Sequence, residues 1–170
     1  MKKLAVFSVP LLAASLAVAH PHLEMITTTT LPGDVEVSVA FYTNPVNMPL
    51  AEKAANGAFL TPGMPVLKIS ADLKAGSVSI PAGTYTVGAI KHGMDSWTMA
   101  LSPGELGEGE TADMSKLIKL DSEFVKSSEP GEHSWVYIGP GAGKFEGKVV
   151  FEMGFGPLVL YGCLNDATLE

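Results

Sequence analysis

Arginine is absent from this 170-residue chain, and its 11 basic residues are all lysines. Aspartate and glutamate together number 18, so the formal net charge is −7 at pH 7. Nucleic-acid-binding proteins usually present a basic face on which arginine side chains contact phosphates and guanines. The acidic, arginine-free composition therefore argues against a nucleic-acid partner.

Cysteine is almost as scarce, because Cys163 is the only one in the sequence. A single cysteine excludes a disulfide within the chain, a cysteine-rich zinc site and a paired-thiol redox motif. Its neighbours Leu160, Tyr161 and Leu164 predict that the thiol is buried and unreactive. Charged residues are also few, at 17% against 46% hydrophobic residues, which is typical of one globular domain and not of a disordered chain.

The chain opens with a segment of the signal-peptide type. Lysines at positions 2 and 3 precede an apolar stretch over residues 4–18, and Ala17-Val18-Ala19 has the small-x-small form that signal peptidase accepts. We expect a secretory signal peptide over residues 1–19 and a single β domain over residues 20–170, located in the periplasm or secreted. The apolar stretch is shorter than the ~20 residues that span a bilayer, and no later run is longer, so we expect no transmembrane segment after signal removal.

Alternating apolar and polar residues, bounded by glycine, proline, asparagine and aspartate, predict strands over most of residues 20–170. Strands at this spacing predict an all-β fold, either a β-sandwich or a small barrel of about 8–9 strands. One short helix is expected near residues 49–56, where Pro49 can occupy a first helical position and Gly57 can stop the helix.

Two hairpins are predicted in this series of strands. The first joins residues 23–31 and 35–42 through Pro32-Gly33-Asp34, and the second joins residues 84–91 and 96–101 through a turn that contains His92. Pro81-Ala82-Gly83 is predicted as a further turn, with Gly83 at a positive φ. Single strands are expected at residues 66–73 and within residues 116–126.

Tyrosine and tryptophan side chains are candidates for two different roles. On strands, such residues usually fill the core, but they can also line a sugar- or ligand-binding face. The six candidates are Tyr42, Tyr85, Trp97, Trp135, Tyr137 and Tyr161.

The predicted cleavage would make His20 the new N-terminus, which offers an α-amine and an imidazole to one metal ion. With a ring nitrogen from a second histidine, such as His92 or His133, these donors suit Cu(II). The chelate that uses the first three residues is blocked, because Pro21 has no N–H to lose. The predicted metal residues are therefore His20, His92 and His133, and copper is the candidate cofactor.

Residues 79–101 read SIPAGTYTVGAIKHGMDSWTMAL, with a Pro-Ala-Gly-Thr-Tyr turn into a strand and a Trp-Thr strand after it. This stretch resembles the bacterial exported family called domain of unknown function 2911. Family members carry an arginine-containing segment upstream of the turn, where this chain reads NGAFLTPG over residues 56–63. The resemblance implies an exported β domain without an established activity, and any site built on those arginines is absent.

No nucleophile elbow of the Gly-x-Ser-x-Gly type and no phosphate-binding glycine pattern occur in the sequence. We therefore interpret the chain as an exported, non-enzymatic β-sandwich domain that binds a small ligand or a partner in the cell envelope. The alternative function is a copper-binding protein, either a carrier or an oxidative enzyme, that uses His20.

Overall fold

The computed structural model describes residues 23–166 of the chain. The predicted signal peptide over residues 1–19, its cleavage site and His20 lie outside the described residues. Thirteen strands and one α-helix are present in the described range. In chain order they are β1 Glu24–Leu31, β2 Val35–Tyr42, α1 Met48–Lys53, β3 Phe59–Leu60, β4 Val66–Ile69, β5 Leu73–Ala75, β6 Val78–Ile80, β7 Gly83–Gly93, β8 Ser96–Pro103, β9 Ile118–Lys119, β10 Ser122–Lys126, β11 Trp135–Pro140, β12 Val149–Phe155 and β13 Leu158–Asp166.

The strands form two antiparallel sheets. The first sheet has the order β1-β2-β4-β7-β8-β9, with β3 paired to β7. The second has the order β11-β12-β13-β5-β6, with β10 paired to β13. The prediction of an all-β, sandwich-like fold is confirmed, although there are thirteen strands where about 8–9 were expected.

Both predicted hairpins are present. The strands β1 and β2 pair along their full length, and Gly33 and Asp34 in their turn have φ angles of 82° and 61°. The strands β7 and β8 also pair, but β7 continues to Gly93 with a register shift beside the turn. The prediction that His92 lies in the turn is therefore wrong, because this residue extends the strand.

Two segments predicted as single strands are each divided between the two sheets. Residues 66–73 form β4 in the first sheet and then begin β5 in the second, with a break at residues 70–72. Residues 116–126 contain β9 of the first sheet and β10 of the second. Alternation of apolar residues continues through both breaks, because each half buries one face in the same core.

The helix α1 is shorter than predicted. It begins at Met48 with Pro49 in its first turn and ends before Ala54, which has a ψ of 137°. Extended backbone at Ala54 stops the helical hydrogen bonding three residues before the expected end at residue 56. The short helix lies at one end of the sandwich, where it contributes to the cavity described next.

Candidate ligand-binding cavity

A cavity of about 470 Å³ lies between the two sheets, at the end of the sandwich that carries α1. Both sheets, α1 and the segment around β3 contribute to its wall. The lining residues are Leu50, Ala51, Phe59, Leu60, Thr61, Pro62, Ala89, Trp97, Gly109, Phe124, Met153, Phe155, Leu158 and Leu160. We call this space the inter-sheet cavity.

The second sheet supplies its part of the wall through strand register. Phe124 of β10 and Met153 of β12 each pair with Leu160 of β13. Directly paired residues in antiparallel strands project from the same face of a sheet. The three apolar side chains therefore form one row on the inner face, and Leu158 follows two residues from Leu160 on that same face.

A buried lysine holds α1 against the first sheet. Lys91 of β7 is only 3% exposed, and its Nζ donates to the carbonyl oxygens of Ala51 at 2.7 Å, Glu52 at 2.9 Å and Ala54 at 2.9 Å. The Ala51 and Glu52 carbonyls belong to the last turn of α1, and Ala54 follows that turn directly. Carbonyl oxygens at a helix end have no backbone N–H partner within the helix, and the end of the helix favours a cation. Lys91 thus satisfies the helix end and positions the Ala51 wall of the cavity.

Trp97 is the largest side chain in the wall, and its orientation is constrained from two sides. The indole N–H donates to the Met94 carbonyl at 3.0 Å. The Lys91 Nζ lies 5.8 Å from the centre of the indole ring, within the range of a cation–π contact. Because the indole N–H already has an acceptor, Trp97 presents only apolar surface to the cavity.

The chemistry of the wall is almost entirely apolar. Among the described residues that line the cavity, none carries a charged side chain, and Thr61 alone has a hydroxyl. The Lys91 ammonium does not line the cavity, and its three hydrogen bonds use all the protons it has to donate. The site is therefore suited to contact with and burial of apolar groups.

The two predicted histidine ligands within the described range lie on different segments. His92 is exposed on β7, with its Nε2 3.0 Å from Thr98 Oγ1, and exposed His133 forms a β-bridge with Pro45. No group of three or more His, Cys, Asp or Glu side chains within residues 23–166 is arranged to hold a metal ion. Because His20 lies outside that range, the copper site that includes it stays a prediction.

The candidate aromatic residues separate into different environments. Trp97 lines the inter-sheet cavity, and Tyr85 is buried with its hydroxyl donating to the Pro81 carbonyl at 2.6 Å. Tyr42 is exposed at the end of β2. Tyr137 and Tyr161 are exposed on the outer face of the second sheet. Trp135 shares the face of Tyr137 on β11, but it is half-buried and packs against the core.

Cys163 differs from its prediction. Its side chain is half-buried, and it lines a groove on the outer face of the second sheet. Strand alternation is the reason, because the inward positions of β13 are taken by Leu160 and Leu164 on either side of it. The apolar neighbours that suggested burial therefore point into the core while Cys163 points away from it.

Lys91 and the inter-sheet cavity are the features of the candidate site that the sequence interpretation missed. The alternation along β7 could have indicated that Lys91 points inward. Tyr85, Val87, Ala89 and Lys91 occupy alternate positions of this strand, and the first three are core residues. A lysine at an inward position must find acceptors. The carbonyls of α1 that accept its protons are 37 to 40 residues away, and no local pattern indicates them.

Comparison of the chain with protein-family models, with curated protein sequences and with solved structures gives no match. The resemblance to the exported family of unknown function therefore stays a prediction. In the part of the chain that the structure describes, no helix has both the length and the hydrophobicity needed to cross a membrane.

Proposed function

We propose that this chain is an exported, non-enzymatic binding domain that holds a small, uncharged, apolar ligand in the inter-sheet cavity. The observation that carries the proposal is the apolar wall itself, built from two sheets and α1 around about 470 Å³. Ligand pockets commonly measure about 300–1,000 Å³ and are lined mainly by hydrophobic and aromatic side chains. Export rests on the signal peptide predicted for residues 1–19.

An uncharged ligand is favoured because the wall has no counter-ion to offer. Transfer of an ionised group into such a site costs several kcal/mol unless it is paired. The nearby Lys91 ammonium is already bonded to three carbonyl oxygens and would have to release α1 to bind an anion. The Thr61 hydroxyl can accept or donate one hydrogen bond, so a ligand with a single hydroxyl or carbonyl group also fits.

The expected affinity is moderate. A ligand that buries about 200 Å² of apolar surface gains roughly 5 kcal/mol from the hydrophobic effect. Lost translational and rotational freedom offsets part of this gain, while contacts in a preformed cavity add to it. Dissociation constants in the range of about 1 μM to 1 mM follow.

The test uses Trp97, which lines the cavity and is one of two tryptophans in the chain. Trp135→Phe leaves Trp97 as the only indole, and its emission is followed during titration with N-phenyl-1-naphthylamine, an uncharged apolar fluorophore. We expect saturable energy transfer from Trp97 to the fluorophore. Unlabelled 1-octanol should compete, whereas octanoate at pH 8 should compete about tenfold less well or worse, because its carboxylate is ionised.

Two leucine substitutions distinguish cavity binding from surface adsorption. Ala89→Leu adds three carbon atoms to the cavity wall and should weaken binding of the fluorophore by about tenfold or more. Ala55→Leu makes the same change at an exposed position just after α1 and should leave binding unaltered. Absence of saturable binding, or equal affinity in the two variants, would overturn the proposal.

A further inference from the structure

A second candidate site lies outside the cavity, on the outer face of the second sheet. Trp135 and Tyr137 occupy alternate positions of β11, with buried Val136 between them pointing inward. A Cβ atom placed on Gly154 would collide with the Trp135 indole, and one placed on Gly139 would collide with the Tyr137 ring. Ring atoms of both side chains therefore occupy the space above a glycine. We call Trp135, Tyr137 and Tyr161 the aromatic face.

Carboxylates alternate with the tyrosines across this face. Tyr137 pairs with Glu152, Glu152 with Tyr161, and Tyr161 with Glu123, so one row crosses β11, β12, β13 and β10. Directly paired residues have Cβ atoms about 5 Å apart. Tyr137 is 46% exposed and Tyr161 is 37% exposed, so both rings remain open to solvent.

The row continues into a groove of about 780 Å³. Glu123, Glu152 and Tyr161 line it together with Lys148 and Asn165. The side-chain oxygen of Asn165 is buried and has no hydrogen-bond partner among the described residues. Hydrogen-bond acceptors on Glu123 and Glu152 and the cationic donor of Lys148 thus lie in the same groove as the exposed Tyr161 ring.

We propose that the aromatic face and this groove bind a neutral carbohydrate chain. A pyranose ring has apolar C–H faces that pack on an aromatic ring, and its hydroxyl groups project around the perimeter of the sugar. Rings that cover glycines and remain exposed present the surface that such packing needs. The carboxylates of Glu123 and Glu152 can accept protons from hydroxyl groups, while the Lys148 ammonium can donate to a hydroxyl oxygen.

The charges on this face favour a sugar over other occupants. The buried core of a protein interface is depleted in charged residues, whereas here Glu152 lies directly between the two tyrosines. An anionic polymer would meet the carboxylates of Asp121, Glu123 and Glu152, and an organic cation would meet the Lys148 ammonium beside those carboxylates in the same groove. A neutral polyhydroxyl ligand satisfies both kinds of group without an unpaired charge.

Binding is tested by native electrophoresis in gels that contain dextran, hydroxyethylcellulose, galactomannan or mannan. Maltohexaose and cellohexaose are then titrated into the Trp97→Phe protein, in which Trp135 is the only tryptophan. We expect retardation by at least one polymer and a change of Trp135 emission on titration with a hexasaccharide. Failure of all four polymers to retard the protein would overturn the proposal.

Tyrosine variants locate the binding surface. Tyr137→Ala combined with Tyr161→Ala should weaken binding by about tenfold or more, and Tyr137→Leu, which keeps apolar bulk without an aromatic face, should weaken it severalfold. Tyr42→Ala removes an equally exposed tyrosine from the first sheet and should change nothing. Unfolding midpoints confirm that each variant is folded. Polysaccharide affinity that is unchanged in both Tyr137 variants would contradict the proposal.

The Glu152→Gln variant distinguishes a sugar from an organic cation. Its amide keeps the shape and the hydrogen-bonding capacity of the carboxyl group, so sugar affinity should change by no more than about threefold. Binding of tetramethylammonium in place of any sugar, abolished by the same substitution, would overturn the carbohydrate assignment. Ala89→Leu narrows the inter-sheet cavity and should leave polysaccharide binding intact, so the two proposals fail independently.

Discussion

At the scale of single residues, Lys91 shows how an unfavourable burial is compensated. The ammonium is removed from water, yet all three of its protons are bonded to carbonyl oxygens of the last turn of α1 and of Ala54. Those carbonyls would otherwise be helix-end acceptors without backbone partners. The lysine and the helix end therefore stabilise each other, and neither would be stable in this position alone.

Replacing Lys91 by methionine tests this interdependence. Lys91→Met keeps most of the apolar stem but leaves three carbonyl oxygens without their donor, so we expect a loss of about 2–4 kcal/mol in the free energy of unfolding. The measurement is the midpoint of urea denaturation. Lys126→Met is the control, because that exposed ammonium lies 3.5 Å from Asp95 Oδ1 and such surface pairs contribute less than about 1 kcal/mol. Equal losses in both variants would contradict the prediction.

The pKa shifts of Glu152 and Asp113 have opposite directions and predict opposite dependences of stability on pH. Desolvation by burial raises the pKa of Glu152 above its ordinary value of 4.5. Hydrogen bonds from the side chain and then the backbone of Ser115, with a further contribution from Lys116, lower the pKa of Asp113 below 3.8. A raised carboxyl pKa means that the folded state prefers the protonated form, whereas a lowered pKa means that it prefers the ionised form.

The stability of the protein relative to Glu152→Gln should therefore fall as pH rises through 4.5 towards the raised pKa. For Asp113 the sign is reversed. The stabilisation of the protein relative to Asp113→Asn should be present above pH 3.8 and disappear as pH falls below it. Urea midpoints measured from pH 3 to pH 7 test both. Parallel pH profiles for the two variants would contradict the assignment.

At the scale of elements, two connections between the sheets are joined by a hydrogen bond. Residues 70–72 lead from β4 to β5, and Pro81-Ala82-Gly83 leads back from β6 to β7. The Asp72 carboxylate accepts a hydrogen bond from the Ala82 amide at 2.8 Å and joins the two crossings. Gly83 has a φ of 155°, in agreement with the positive φ predicted for the turn.

Asp72 also acts on a neighbouring side chain. Burial raises the pKa of Tyr85 above 10.0, and the negative charge of Asp72 raises it further. Asp72→Asn keeps an oxygen that can accept from Ala82 but removes the charge, so the pKa of Tyr85 should fall while remaining above 10.0. Ultraviolet titration of tyrosine ionisation measures this change. A pKa of Tyr85 that rises or stays constant would show that Asp72 does not act through its charge.

The connection between β3 and β4 depends on a close backbone approach. Gly63 has a φ of 75°, and a Cβ on it would collide with the Tyr42 carbonyl oxygen. Gly57 has a similar φ of 87°, but a Cβ on it would meet no atom within 4 Å beyond its chain neighbours. A substitution at Gly57 therefore measures the cost of the positive φ without a steric collision. We expect Gly57→Ala to cost about 1 kcal/mol and Gly63→Ala about 1–3 kcal/mol more, measured by urea denaturation. Equal costs would argue against steric exclusion at Gly63.

At the scale of the whole molecule, the copper hypothesis depends on residues from distant parts of the chain. Exposed His92 and His133 lie on separate segments, and each offers a ring nitrogen to a site that would include His20. We expect that His92→Ala or His133→Ala, but not both, weakens any tight Cu(II) site by well over about tenfold. Titration calorimetry measures the affinity in protein whose N-terminus has been verified by mass spectrometry.

An extra residue placed before His20 is the control for this prediction, because it removes the predicted amine from the chelate. If the Cu(II) affinity is unchanged in both histidine variants, neither His92 nor His133 is the third ligand, and the predicted site is wrong. Binding no tighter than that of an unstructured His-Pro-His peptide would exclude the copper function. These outcomes do not involve the inter-sheet cavity, which contains no histidine among its described lining residues.

The sequence by itself determined the all-β class, the two hairpins and the position of α1. Each depends on local physical chemistry, because alternation defines strand faces and glycine or proline defines turns over a few residues. It did not separate β4 from β5 or β9 from β10, since the alternation that marks a buried face is the same in both sheets. It also could not distinguish the outward Cys163 from its inward neighbours by composition alone.

Only the tertiary structure decided where the candidate binding surfaces lie. The inter-sheet cavity joins residues from Leu50 to Leu160, and the aromatic face joins residues of β11 and β13, each of which pairs with β12. Lys91 reaches carbonyls some 40 residues earlier because β7 and α1 pack together at one end of the sandwich. Local sequence patterns determine which face of each strand is buried. Which residues that face contacts, and whether a cavity remains between them, depends on how strands distant in sequence are arranged.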